Sequence, residues 1–547
     1  MFKNKSYLLM LVMVFVFFLL NTLWISVDNQ LPMIGDDARW LEETNRLTQT
    51  IKTGDVGLIW QKWQDLFIKD TNSFPRTPLF VLMSVPVFMV VGPSENSAII
   101  FNAFVFALSC ILSYFFCVKI FENNKNKEKI GLVTVLLFNL FPAHYGFARL
   151  YMSEVLQTFF VIGTSFFIYH NLNKFSLKTW FGLGVFLSLA MLLRFIMPIY
   201  LGLPVIYFAF RQYKIIKKAK KNQGLKYTVL VGFVFLLSFL PIFLSWYGKN
   251  LITYWEFTKF TSSGELAAIS SLGPVFSIVT VLKFWKIIAL WHFGWPLLAV
   301  IFGMIAILLI KKPKIKKNFL KHIFTSNQDN KILLALFILP LPALITATLS
   351  LNKTTRYYIP VEFFWIIVFA FLFVCAWEHK RKTIKVYIIV SMIFLSYQYM
   401  QAFLPNVRLL PQTGLIFSTG HYVSSDNVQN KYDYLYKFFK FELQNNKEAK
   451  IYLVPEQTTL NDAELIWYFT QKGERLNTIG EFSAYHTYEQ GLAKVEETNY
   501  VIVNTKPVLS AKYNFPYSHL VSKIRSGDFL KVSTDQDLGI TIYLRIN

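Results

Sequence analysis

The sequence predicts an all-α polytopic membrane domain of about eleven spans, followed by a small extracytoplasmic α/β domain. Three observations predict it. Hydrophobic residues make up 54% of the 547 positions, more than the roughly 45–50% usual for soluble domains. Apolar runs recur at lengths that match a hydrocarbon core about 30 Å thick. From about residue 404 those runs vanish, and charged and polar residues become frequent.

The first element is the uncharged stretch 7–27, YLLMLVMVFVFFLLNTLWISV, preceded by Lys3 and Lys5. It is too long for a signal-peptide core and no small-residue cleavage site follows it. It therefore reads as an uncleaved anchor with its N-terminus in the cytoplasm. Further spans are expected at 97–118, 130–147, 155–170, 179–193, 196–210, 227–247, 293–310, 331–350, 357–376 and 384–403. Their orientation follows from the basic loops. Lys plus Arg number 55 against 32 Asp plus Glu, a net charge of +23. In a soluble protein that excess would point to nucleic acid. Here it gathers in short loops between apolar runs, which is the positive-inside pattern, and no nucleic-acid partner is expected.

Four loops carry the pattern: Lys125 to Lys129, Arg211 to Lys226, Lys311 to Lys317 and His379 to Lys385. All four fall on the cytoplasmic side if two apolar stretches do not cross. These are 79–92, short and containing Pro86, and 275–291, containing Lys283 and Lys286. Both are expected to lie as helices at the outer surface. Three regions then face outward: 28–96, 248–292 and the chain from 404. The membrane domain is residues 1–403 and the outer domain 404–547. In the latter, β-like runs (KIYLVP, NYVIVNT, ITIYLRI) alternate with helix-like stretches at 461–472, 487–497 and 516–526, an α/β pattern.

Several chemistries have no support. Cys110, Cys117 and Cys375 all sit in apolar spans, so no disulfide framework is expected. There is no HExxH, GxSxG, GxGxxG or phosphate-binding loop, and His144 and His292 stand isolated. No cofactor and no bound metal are expected. Abundant Lys, Asn and Ile fit a bacterium with an AT-rich genome, hence a bacterial plasma-membrane location.

Charged residues at the outward span ends remain to be explained. A charge within a span costs roughly 2.5–3.5 kcal/mol on insertion scales, so each needs a reason. Asp36 and Asp37 open the first outer loop in GDDARWLEE, and Arg76 lies in FPRTPLF. Arg149 and Glu154 lie in ARLYMSEVL, Arg194 interrupts LAMLLRFIMP, Lys249 and Asn250 follow a span in SWYGKNL, and Arg356 and Tyr357 occur in TTRYYIP. Singly, each has an ordinary reading. Acidic pairs in loops are solvated, arginines snorkel to head groups, and Glu154 can simply pair with Arg149. Together they suit one reaction. Arg and Lys stabilise a departing lipid phosphate, and a carboxylate takes the proton of an incoming hydroxyl or amine. A polyprenyl-phosphate sugar supplies such a leaving group.

These elements resemble the GT-C class of membrane glycosyltransferases. The likeness is to the branch with protein O-mannosyltransferases and the bacterial lipid A aminoarabinose transferase. Asp36-Asp37 followed by Trp40 resembles the family's acidic pair in the first outer loop. Arg76-Thr77-Pro78-Leu79-Phe80 resembles its basic-Pro-Pro-Leu-aromatic element, with Thr77 in place of one Pro. Arg149 stands five residues before Glu154, where the family more often has Asp. Arg194 follows a small-apolar stretch as in the family. Ser245-Trp246-Tyr247-Gly248-Lys249-Asn250 is similar to its Pro-Trp-Tyr-x-Arg-Asn, and Arg356-Tyr357-Tyr358-Ile359-Pro360 matches its Arg-Tyr-x-x-Pro. The six come in the family's order across roughly residues 1–403.

The resemblance implies inverting transfer of a sugar from a polyprenyl-phosphate donor to an extracytoplasmic acceptor, an envelope glycan, lipid or protein. It implies Asp36 as general base, with Asp37 supporting or sharing that role, and places Glu154 in the catalytic set. Arg76, Arg149, Arg194, Lys249 and Arg356 are the expected donor-phosphate cations, with Arg149 and Glu154 also ordering the second outer loop. Asn250 and Tyr357 support them. Two other readings stay open: a flippase for lipid-linked sugars, which would need charges across the whole bilayer, and an inactive scaffold whose outer domain binds a partner.

Overall fold

The computed structural model describes residues 2–23, 35–65, 77–219, 224–264, 267, 271–310, 332, 335–378, 382–401, 426–446, 448–455, 460–479, 488–505 and 517–546. The chain divides into two compact units. The first comprises residues 1–27, 77–80 and 99–421, and the second 28–76, 81–98 and 422–547. In chain order the helices are α1 (Phe2–Leu23), α2 (Gly35–Lys52), α3 (Val56–Asp65), α4 (Leu79–Val91), α5 (Glu95–Ile120), α6 (Lys127–Leu140), α7 (Pro142–Ala148), α8 (Glu154–Asn171), α9 (Leu177–Leu193), α10 (Met197–Ala219), α11 (Gly224–Ser262) and α12 (Ile278–Ile288). A π-helical turn, Ala289–Phe293, leads into α13 (Gly294–Ile310), and α14 (Leu341–Leu349) follows. A 3₁₀ turn, Thr355–Tyr358, runs into α15 (Ile359–Trp377), and α16 (Lys382–Gln401) closes the series.

The apolar stretches of the sequence fall on these helices. Among the described residues five helices are long and apolar enough to cross a membrane, or six if α6 and α7 form one bent span. Two expectations need correction. The stretch 130–147 is not one helix: α6 and α7 meet at 65°. Pro142 cannot donate the helical hydrogen bond and pushes the residue before it out of the α region, and Phe141 is extended (φ −80°, ψ 118°). The expected span 227–247 does not end at a loop. α11 continues through Lys249 and Asn250 to Ser262, so the region 248–292 begins as helix. At 39 residues it is about 58 Å long, well beyond a hydrocarbon core. No proline or glycine occurs from Lys249 to Ser262, and the helix stops just before Gly264. The expected basic loop Lys311 to Lys317 lies outside the described residues.

Within the first unit α15 is enclosed by α6, α8 and α16, and buries Phe363, Phe364, Ile366 and Ile367. α9 lies along α11. Gly184 of α9 makes that approach close: a Cβ there would come within 2.7 Å of the Phe235 carbonyl oxygen on α11. By contrast Leu225, Val229, Phe233, Leu237 and Leu244 of α11 are exposed, the apolar outer face of a membrane helix.

The second unit contains the predicted C-terminal α/β module. Its elements are α17 (Asp426–Asn445), β1 (Lys450–Val454), α18 (Asp462–Gln471), β2 (Asn477–Ile479), α19 (Tyr488–Glu496), β3 (Tyr500–Asn504), α20 (Tyr517–Ser526), β4 (Phe529–Asp535) and β5 (Ile540–Arg545). The sheet order is β2-β1-β3-β5-β4, with β2, β1 and β3 parallel and β5 and β4 antiparallel. Both sheet faces are covered, so β1 reads as a continuous apolar run. Ile451 and Leu453 pack with Leu435 and Phe439 of α17 and Leu465 and Phe469 of α18. Tyr452 and Val454 face the other way, with Val495 of α19 and Leu520 and Ile524 of α20. β4, β2 and α17 were not legible in the sequence: β4 is a polar edge strand, β2 has three residues, and α17 is charged along much of its length. The unit also holds α2, which packs on α18 and α3.

Candidate functional site

The site grows from three helix ends in the first unit. Glu154 is the first residue of α8, where a carboxylate suits the helix dipole. Arg194 leaves the C-terminus of α9 in extended conformation (φ −162°, ψ 138°), which turns its side chain away from the helix axis. Arg356 lies in the 3₁₀ turn that Pro360 of α15 helps to end. The fold brings the three together. The Glu154 carboxylate, 0% exposed, sits 3.4 Å from Arg194 Nη2 and 3.5 Å from Arg356 Nε. Both arginines keep some access to solvent, 18% and 20%.

Among the described residues Glu154 pairs with two cations. A buried carboxylate needs such partners, because an unpaired buried charge costs several kcal/mol. Two guanidiniums carry ten N–H donors, far more than one carboxylate accepts. Two guanidiniums held on one carboxylate present fixed N–H donors of the kind that bind an oxyanion. Tyr357 lines it: its ring centre is 5.3 Å from the Arg194 guanidinium and 5.5 Å from that of Arg356. The Tyr357 carbonyl accepts a 2.5 Å hydrogen bond from buried Tyr200 of α10.

Neighbouring groups fix these ends. The Thr77 hydroxyl donates to the Leu193 carbonyl at 2.5 Å, beside Arg194. Phe80 packs on Tyr151 with ring centres 4.7 Å apart. Thus the Thr77-to-Phe80 part of the sequence element holds both the Arg194 turn and the loop before Glu154. Asn102 of α5 donates its amide to the carbonyls of Leu150 and Met152 in that loop.

The other expected residues are placed differently. Arg149 is buried between the rings of Tyr145 and Tyr399, 4.9 and 4.8 Å from their centres, and its Nε donates to Asn21. It thereby joins α1, α7 and α16. The described ion pairs of Glu154 are with Arg194 and Arg356, not with Arg149. Asn250 is buried in α11 and Lys249 lies on an exposed part of the same helix. Tyr247 donates to the Met191 carbonyl at 2.8 Å, which pins α11 against the end of α9. Asp36 and Asp37 fall in the first turn of α2, in the second unit. Arg76 lies outside the described residues.

One cluster escaped the sequence reading. His144 and His292, isolated along the chain, meet on Glu362 of α15. His292 Nδ1 is 2.5 Å and His144 Nε2 3.8 Å from its carboxylate, and all three are buried. Glu362 links α7, the π-helical turn and α15. That π turn is released into α13 by Gly294 in left-handed conformation (φ 71°). The missed signal was an acid inside an apolar span, which by itself demands a partner. Among the described residues no cluster has the arrangement of a metal site.

Comparison with known proteins bears on this architecture. A family model for dolichyl-phosphate-mannose-protein mannosyltransferase matches residues 75–246, which include Thr77, Glu154 and Arg194. The whole chain is similar to the crystal structure of ArnT from Cupriavidus metallidurans bound to undecaprenyl phosphate. That match has a TM-score of 0.54 and 13% identity, over 99% of this chain and 98% of that one. The apo structure of the same protein gives a TM-score of 0.55 and 12% identity over the same shares. No curated protein sequence matches the chain. The chain thus has the fold of ArnT, and residues 75–246 are similar to the mannosyltransferase family model, in line with the resemblance in the sequence elements.

Proposed function

We propose that this protein transfers one sugar from a polyprenyl-phosphate donor to an acceptor on the outer face of a bacterial plasma membrane. The observation that carries the reading is the Glu154 clamp, a buried carboxylate that holds the Arg194 and Arg356 guanidiniums side by side. A polyprenyl phosphomonoester is the leaving group in such a transfer. Its oxygens gain charge as the sugar–phosphate bond breaks, and fixed guanidinium donors stabilise that charge without reorganising. Undecaprenyl phosphate in the similar ArnT structure supports this donor class.

In the proposed reaction Asp36 removes the proton from the acceptor hydroxyl. The oxygen attacks the anomeric carbon from the side opposite the phosphate, which inverts its configuration. Arg194 and Arg356 receive the phosphate, and Arg76 and Lys249 add positive charge. Arg149 and Glu154 order the loop between α7 and α8. The roles of Asp36, Asp37, Arg76 and Lys249 rest on the sequence elements that carry them.

The test uses purified protein in proteoliposomes with synthetic polyprenyl-phosphate sugars. Asp36→Asn is expected to abolish transfer and keep donor binding, whereas Arg356→Ala weakens donor binding. Full transfer by Asp36→Asn removes it as the base. Donor binding that is indifferent to both Arg194→Ala and Arg356→Ala removes the clamp from the reaction.

A further inference from the structure

The helix that begins with the acidic pair is built into the C-terminal module. Asp36 and Asp37 open α2, and Arg39 lies on the next part of the same helix. Arg39 Nη2 is 3.5 Å from Asp462 Oδ1, with side chains only 11% and 8% exposed. Asp462 is itself fixed. It is the first residue of α18, its Oδ1 accepts the Ala463 backbone N–H at 2.7 Å, and the N-cap Asn461 accepts the Glu464 N–H at 2.9 Å. α18 is anchored in the sheet core through Leu465 and Phe469.

Further along α2 the fixing continues. Ala38, Trp40, Leu41 and Leu47 are buried. Glu43 pairs with Lys62 of α3 at 3.0 Å, and the Thr44 and Ser84 hydroxyls approach to 3.4 Å. Among the described ion pairs of α2, that of Arg39 lies nearest the acidic end. Arg39 is about 4.5 Å along the axis from Asp36. A helix roll of about 20° moves a side-chain tip some 6 Å from the axis by about 2 Å. A misplacement of about 1 Å can cost on the order of 100-fold in rate.

We infer that Asp462, acting through Arg39, is a positioning residue for the carboxylate pair at the head of α2. The C-terminal sheet module then fixes where the head of α2 lies within the second unit. This rests on the proposed function, in which Asp36 is the base and the phosphate is bound by Arg194 and Arg356. The two roles belong to different residues, so they separate kinetically.

The experiment measures kcat and donor KM for full-length protein in proteoliposomes, with thermal unfolding as a check on folding. Asp462→Asn and Arg39→Met are expected to lower kcat about 10- to 100-fold with donor KM within twofold. Asp462→Glu and Arg39→Lys restore most of kcat. The exchange Arg39→Asp with Asp462→Arg recovers at least tenfold over either single change. Singles with wild-type kcat overturn the inference. So does a loss of kcat that tracks the fall in unfolding temperature and is not recovered by the exchange. Wild-type protein that transfers no sugar overturns the proposed function and this inference with it, whereas active wild type with indifferent variants overturns the inference alone.

Discussion

Glu154 has one anionic charge to share between two cations, and that asymmetry makes its substitution informative. Glu154→Gln removes the carboxylate that now lies 3.4 Å from Arg194 and 3.5 Å from Arg356. Loss of one partner from a buried ion pair costs about 3–5 kcal/mol. The expected result is a lower unfolding temperature and little transfer, and adding bound donor restores part of the stability because its phosphate replaces the missing charge. Unchanged stability in the apo protein would contradict the clamp. In the second unit Glu464 offers a pH-dependent counterpart. Burial raises its carboxyl from 4.5 to about 8, opposed by its hydrogen bond from Tyr432. An acid with a raised folded pKa binds its proton more tightly in the native state. Its contribution is full below about 4.5 and is lost as pH rises through about 8. Wild-type unfolding temperature should therefore fall between pH 5 and pH 8, by more than in Glu464→Gln, which cannot ionise. Parallel profiles for the two proteins would refute this account.

Helices position the site by where they stop. α9 ends at Leu193, α8 starts at Glu154 and α15 starts at Ile359, and each boundary delivers one charged residue. The α9 boundary depends on how closely α9 lies against α11. Gly184 allows that approach, since any Cβ there meets Ser238 and the Phe235 carbonyl. Gly184→Leu should force the helices apart and shift Arg194 with the end of α9. The expected outcome is a higher donor KM together with a lower unfolding temperature, larger than for Gly184→Ala. A Leu variant with wild-type values would show that the contact is not needed. The Glu362 cluster works on the same scale, since it joins α7, which leads to Arg149, with α15, which follows Arg356.

At the scale of the molecule the chain alternates between two units. Residues 28–76 and 81–98 belong with the C-terminal module and not with the helices that flank them in sequence. The net charge of +23, concentrated in loops, remains the argument for orientation. It predicts that a tag after Asn547 is open to protease on intact spheroplasts, while a tag before Met1 is protected until lysis. The reverse pattern would move the proposed chemistry to the cytoplasmic face.

Sequence alone determined what local pattern can encode. Apolar runs located the helices, and the short apolar β-like runs KIYLVP and NYVIVNT located β1 and β3, because a strand covered on both faces is apolar throughout. Charges at helix ends marked Glu154, Arg194 and Arg356 as candidates, since such charges need a reason. The tertiary structure decided which of them meet. Positions 154, 194 and 356 share no local register, and His144, His292 and Glu362 look unrelated until three helices pack. The single span expected at 130–147 passed over Pro142, and the 65° bend there emerged only in the fold. The union of α2 with α18 lay beyond sequence reading for the same reason. An ion pair between residues 39 and 462 is selected by the packed surfaces of two elements, and neither carries a periodic trace of the other.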